Sequence, residues 1–427
     1  MPQILPFRGI RYTAPAGSLD DLLAPPYDVI TPAQQQALAN RSPYNAVHLE
    51  LASGGEARDA RVAALLESWQ RDGILARDEL PMLYVYEQRF VEAGQEYRRR
   101  ALLAEVEAQP WDEGAVKPHE FTMSGPKEDR LKLLEATHVQ FSPVFMLARD
   151  RAGQLRQFLD ETMASRPPDQ EAATIEGDRH RLWLVEAGRL EMRRLAPLLS
   201  ESFTIADGHH RYETAVTYKQ RQLERAGTLE RDHPARFAMT AIVAADDPGL
   251  VIRPIHRIVP RPAPADWESR LSATFQMARM AGQAGDPAAV DAALASAPAD
   301  AIVALSLEPG AIHSLTPVDA SVYARLAPAG HSEEWTRIAP NLCRYGVLGP
   351  LWGITDDDLR AGAVEYTHDT GEVLDLLRER EACAFLLRPV SVHDTIALAN
   401  QGERMPQKST FFHPKLGTGL VFHPLYP

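Results

Sequence analysis

Phe203-Thr204-Ile205-Ala206-Asp207-Gly208-His209-His210-Arg211-Tyr212 is a short apolar run that breaks at Asp-Gly and resumes as His-His-Arg at the head of an amphipathic segment. It reads as strand, tight turn, helix. Downstream, Tyr212, Ala215 and Val216 carry the i, i+3, i+4 spacing of a helix packed on one face, and Gln220-Arg221-Gln222 restores polarity. The His-His-Arg cluster therefore sits at a helix N-terminus. Backbone N–H groups and the positive end of the helix dipole converge there, and Gly208 lets the backbone approach a bound group. Cations at that end of a helix are disfavoured unless an anion answers them. The pattern points to a phosphate site, with Arg211 and Gly208 binding and Asp207, His209 and His210 in acid/base, metal-holding or phosphate-donor roles. The plainer reading makes Asp207 an N-cap, Gly208 a turn residue and both histidines surface residues.

Working outward, the chain predicts an α/β fold with a mixed sheet, the 203–225 element at its centre. Thr31-Pro32 opens a helix with a hydroxyl cap and a first-turn proline, and 57–71 is a helix with Val62, Leu65, Leu66 and Trp69 on one face. Segments 82–90 and 97–106 read as a hairpin, 127–137 as a helix, and 142–148 and 181–185 as strands. From 261 to about 340 the sequence turns Pro- and Ala-rich, which suggests an accessory lobe. Residues 363–389 then read as strand, helix, strand. The expected division is 1–260, 261–340 and 341–427.

Other residues carry usable chemistry. Lys408-Ser409-Thr410 combines an ammonium with two hydroxyls, and Lys415 follows the turn at His413-Pro414; together they suit phosphate oxygens, a solvated basic loop being the plainer reading. His119, Glu120, Lys127 and Arg130 fall in one charged loop entering a helix. Asp28 and Asn45, each in a stretch rich in proline and tyrosine, are candidates for a metal ligand or general base, against caps and Asx-turns. His256 and His368 follow apolar runs and read as structural histidines. There is no HxxxH pair, no Gly-Lys-Ser/Thr phosphate loop and no Gly-x-Gly-x-x-Gly, so zinc protease, Walker-type ATPase and Rossmann dehydrogenase are poor readings.

Four stretches, taken in order, carry a family resemblance. Ala24-Pro25-Pro26-Tyr27-Asp28-Val29-Ile30, Ser42-Pro43-Tyr44-Asn45-Ala46-Val47, the Asp207–Tyr212 element, and Met405-Pro406-Gln407-Lys408-Ser409-Thr410 with His413-Pro414-Lys415 resemble the domain of unknown function 1015 family from the N-terminus to the last few residues. The segment holding His119-Glu120 and Pro126-Lys127-Glu128-Asp129-Arg130 resembles it too. More remotely, strand, Asp-Gly-His-His-Arg and helix look like the phosphate element of the ParB/sulfiredoxin-like superfamily, which includes nucleotide hydrolases and free-serine kinases. The resemblance implies phosphoryl transfer or phosphate-ester hydrolysis on a small metabolite, a free amino acid such as serine among them, with ATP or ADP and Mg²⁺. A non-catalytic nucleotide-binding regulator is the alternative.

Composition sets bounds on this. A net charge of -13 argues against a general nucleic-acid surface, which needs clustered Lys and Arg, yet leaves room for a local anion site. The two cysteines, Cys343 and Cys383, suit small buried hydrophobes better than a disulfide or thiolate metal site. No run approaches a membrane span and the start lacks a signal-peptide pattern, so a cytoplasmic protein with a small-molecule ligand and no membrane partner is expected.

Overall fold

The computed structural model describes residues 3–55, 57–122 and 124–427. Its backbone is mixed α/β and divides into two compact units: 1–118 with 122–251 and 414–427, and 119–121 with 252–413.

The first unit is built on a nine-stranded mixed sheet. From edge to edge the strands are Val116–Lys117, Phe203–Asp207, Val144–Ala148, Phe237–Ala244, Gln95–Glu107, Met82–Glu92, Arg179–Glu186 and Gln170–Ala173, with Ile4–Leu5 also pairing Gln95–Glu107. The expected hairpin forms, Tyr84 opposite Leu103, through the tight turn Ala93-Gly94 with φ of 48° and 77°. Two positive φ values in succession give a turn whose twist matches that of the strands. Phe237–Ala244 is buried along its whole length, parallel to Val144–Ala148 and antiparallel to Gln95–Glu107, which makes it the sheet's interior. Phe203–Asp207 lies second from the edge instead of at the centre. Its apolar run reflects helices packed over it: Phe203 and Ile205 share a core with Tyr212 and Ala215 of the following helix and with Phe158 and Leu159. Burial on a sheet's faces produces such a run wherever the strand stands.

The second unit holds a six-stranded sheet in the order Phe275–Arg279, Ile312–Pro317, Ile302–Leu305, Cys383–Leu386, His256–Val259, Glu365–Thr367, all neighbours antiparallel. Alternation divides its residues between two cores. Val303, Leu305, Ala384 and Leu386 pack with Val290 and Val373, whereas Ile302, Ala304, Cys383 and Phe385 pack with Trp267, Tyr323 and Leu342. Cys343 and Cys383 are both buried there. The segment 261–340 thus pairs its strands with those of 341–427 in one sheet; its change of composition marks the Ala-rich helix Pro287–Ser296. Among the described residues no helix is long and apolar enough to cross a membrane.

Candidate functional site

Asp207 ends its strand where the register with Val144–Ala148 shifts between Ile205 and Asp207. Such bulges re-aim a side chain at the end of a ladder. Gly208 follows at φ 85°, ψ 30°, and His209 opens an 18-residue helix, His209–Ala226, that has no side-chain cap. Glycine suits the left-handed backbone here, and a Cβ would stand 2.9 Å from Arg211 Cζ, so the guanidinium packed across it would have to shift. The helix is pinned by Tyr212, which stacks on Trp111 at 4.9 Å and whose hydroxyl donates to Gln109 O (3.0 Å) and accepts from Gln109 N (2.9 Å).

Two cations meet on Asp207. Arg211 Nη2 donates to Oδ2 at 2.6 Å while Nη1 donates to Pro143 O, and Lys415 Nζ donates to Oδ1. Burial pushes the Asp207 carboxyl up, but Lys415 and Arg211 more than offset it and hold it well below the usual range. A carboxylate so held is a poor proton acceptor at neutral pH, and Asp207 serves as the anchor of two cations. Burial works against the Arg211 charge, and Asp207, Asp28, Tyr27 and Glu50 together outweigh it and raise the guanidinium further.

Lys415 lies 208 positions from Asp207 in the chain and is gripped through its backbone. Arg99 Nη2 donates to Pro414 O at 2.6 Å, and Gln88 Nε2 to Lys415 O at 3.0 Å; Arg99 also donates to Gln88 Oε1. Arg99 is only 1% exposed, its guanidinium 5.0 Å from the Phe145 ring centroid. Burial lowers it to about 10, so it stays charged at neutral pH. Further along, Thr418 exchanges backbone bonds with Ala24, and Phe422 with Ile10. The tail is therefore tied into the first unit at several points along its length.

Beside Arg211 lies a cavity of about 50 Å³, lined in part by Tyr27, Glu50, Arg130, Ser142 and Thr214. Arg130 stacks over Tyr27 at 4.2 Å and donates through Nη1 to Glu50 O at 2.8 Å. Asp28, in the single turn Tyr27–Val29, is exposed. Glu50 was missed by sequence reasoning, although its signal is visible: a lone carboxylate in the apolar run Val47-His48-Leu49-Glu50-Leu51.

Asn45 is fully buried, its Nδ2 donating to Asp21 O and Leu23 O and its Oδ1 accepting from Val47 N, which spends the amide on the backbone and removes it as a ligand or base. In the second unit Glu120 Oε1 accepts from Ser409 N (2.9 Å) and Thr410 N (3.0 Å), while Ser409 Oγ donates to Pro406 O. The anion held by these amides is thus the chain's own carboxylate, which fills the place expected for phosphate. His119 Nε2 lies 2.7 Å from Thr410 Oγ1, and Lys408 is exposed at φ 62°. The Lys127 side chain lies outside the described residues. Among the described residues no group of three or more His, Cys, Asp or Glu is placed to hold a metal ion.

The model of the family described as Protein of unknown function (DUF1015) matches residues 4–329. The chain belongs to this family. The DUF1015 match takes in the Asp207–Tyr212 element and stops short of the tail that carries Lys415. No curated protein matches. Among solved structures, a free serine kinase variant in complex with ADP has a TM-score of 0.35 at 11% identity, covering 72% of this chain and 89% of that one. SbnI from Staphylococcus aureus, with a C-terminal truncation, gives 0.38 at 12%, covering 76% and 87%. A conserved hypothetical protein from Pyrococcus furiosus gives 0.32 at 13%, covering 72% and 92%.

Proposed function

We propose that the protein transfers a phosphoryl group between a nucleotide and a small hydroxylated metabolite, at the N-terminus of the His209 helix. The observation that carries this reading is the meeting of Arg211 and Lys415 on one carboxylate at an uncapped helix start after a left-handed glycine. Phosphoryl transfer asks for little covalent chemistry from a protein and much positioned positive charge. In this reading Arg211, Lys415 and the first-turn N–H groups bind phosphate oxygens, and Asp207 holds both cations ready. His209 and His210, following directly, donate protons to the phosphate as charge builds. Mg²⁺ is generally held by one or two carboxylates together with phosphate oxygens and water. Asp28 fits that part, being an exposed carboxylate whose charge reaches Arg211, and the ion when bound would neutralise charge on the phosphate.

Incubation with ATP or ADP, Mg²⁺ and a panel of hydroxylated metabolites, serine included, tests the reading. Nucleotide should be consumed only with the right acceptor, because catalysis needs the hydroxyl in line with phosphorus. His209→Asn or His210→Asn should bind ADP as before and lose turnover about a hundredfold, the usual scale for a positioned acid. Binding with no turnover across the panel, phosphate esters among it, would leave a nucleotide-binding regulator.

A further inference from the structure

Glu50 closes the single-turn helix Val47–Glu50, in which Val47 and Leu49 are also buried, and it is only 4% exposed. Its Oε1 accepts from Ser142 Oγ at 2.8 Å, and among the described residues its Oε2 has no hydrogen-bond partner. The Arg211 charge supports this carboxylate, but Ser142 is its one hydrogen-bond donor among the described residues, so one oxygen stays open to a further donor. The cavity it lines offers almost no other vacant capacity. Arg130 is spent on Glu50 O and Asp129, Arg211 on Asp207 and Pro143 O, and Thr214 Oγ1 donates to His210 O. Among the described residues the capacity left open in the cavity is the Glu50 Oε2 acceptor and the Tyr27 hydroxyl.

Size narrows the occupant. The cavity's volume of about 50 Å³ suits a compact molecule. Arg211 belongs both to this cavity and to the Asp207 cluster, so an occupant would lie beside the phosphate element.

We propose that this cavity binds the phosphoryl acceptor, a compact molecule whose hydroxyl donates to Glu50 Oε2; the proposal rests on the phosphoryl-transfer reading above. In the transfer from ATP, the hydroxyl proton passes to Glu50 Oε2 while the acceptor oxygen's electron pair forms the new O–P bond. The bond from the terminal phosphorus to the bridging oxygen breaks, and its electrons leave with ADP. Ser142 holds Oε1 and thereby aims Oε2 at the acceptor.

The test uses the full chain and the isosteric Glu50→Gln, to which Ser142 can still donate. Glu50→Gln should keep its melting temperature and ADP affinity within about twofold. It should lose acceptor-dependent ATP consumption about a hundredfold, since a positioned base is worth about that much. Crystals of the wild type soaked in turn with glycerol, ethanolamine and L-serine should show a hydroxyl against Glu50. Unchanged turnover in a folded Glu50→Gln, or an empty cavity in all three soaks, overturns the proposal while wild-type ADP binding leaves the wider reading standing. A probe seated on Glu50 in a protein that neither binds ADP nor consumes ATP overturns the acceptor role together with that reading.

Discussion

His180 and His256 are buried imidazoles, one in each unit, and each is tied to a neighbour: His180 Nδ1 lies 2.7 Å from the Tyr86 hydroxyl and His256 Nδ1 accepts from Leu387 N at 3.2 Å. Burial, aided by Arg99, pushes His180 down to about 3, and burial, aided by Arg257, takes His256 down to about 4. In an unfolded chain both would titrate near about 6.5. Between those values the unfolded state binds protons that the fold refuses. The stability they give is therefore complete above about pH 6.5 and declines as pH falls toward their folded values. Asp207, held low, loses its share at still more acid pH. Thermal midpoints measured from about pH 8 to pH 4.5 should hold level and then fall below about 6.5. His180→Phe should flatten part of that fall. A midpoint that climbs as the solution is acidified would contradict the assignment.

At the scale of elements, the strand, turn and helix around Asp207 were legible because three local signals agree: a buried apolar run, a glycine where the backbone turns left-handed, and 3.6-residue periodicity. The hairpin at Ala93-Gly94 and the helix opened by the Thr31 hydroxyl and Pro32 were legible from local signals too. The strand's place near the sheet edge was not, since the sequence records burial but not neighbours. Nor was Arg99, which sits within Arg98-Arg99-Arg100 and looks like its flanks although the pleat turns it into the core. Gly208→Ala is the sharpest trial of this element. A left-handed alanine costs about 1–2 kcal/mol, and its Cβ would press on Arg211 and shift the guanidinium off Asp207. The variant should melt lower and bind ADP about tenfold more weakly, a change of about 1.4 kcal/mol. Unchanged stability and affinity would show that neither the backbone nor Arg211 needs the glycine.

Across the whole molecule, the first unit gains its second cation from a segment at the far end of the chain. Residues 414–427 carry no periodicity that announces a strand, and their place depends on bonds to distant partners: Arg99 and Gln88 for Pro414 and Lys415, Ala24 for Thr418, Ile10 for Phe422. The sequence suggested that the tail returns to the helix start. Lys415 does so within the first unit, whereas Ser409 and Thr410 belong to the second and serve Glu120. A carboxylate and a phosphate make the same demand on N–H and O–H donors, and residue type alone does not say which will answer it.

The central claim is that Arg211 and Lys415 wait on Asp207 for a phosphate, and calorimetric titration of the full chain with ADP, wild type against Lys415→Met, tests it most directly. Arg211 still neutralises Asp207 in that variant, so the fold should survive with little change in melting temperature. The account predicts that the wild type binds ADP and that Lys415→Met binds it at least about tenfold more weakly, as expected for a lost charge-assisted hydrogen bond worth about 1.5–3 kcal/mol. Equal affinity in the two folded proteins, or no binding by the wild type, would contradict it.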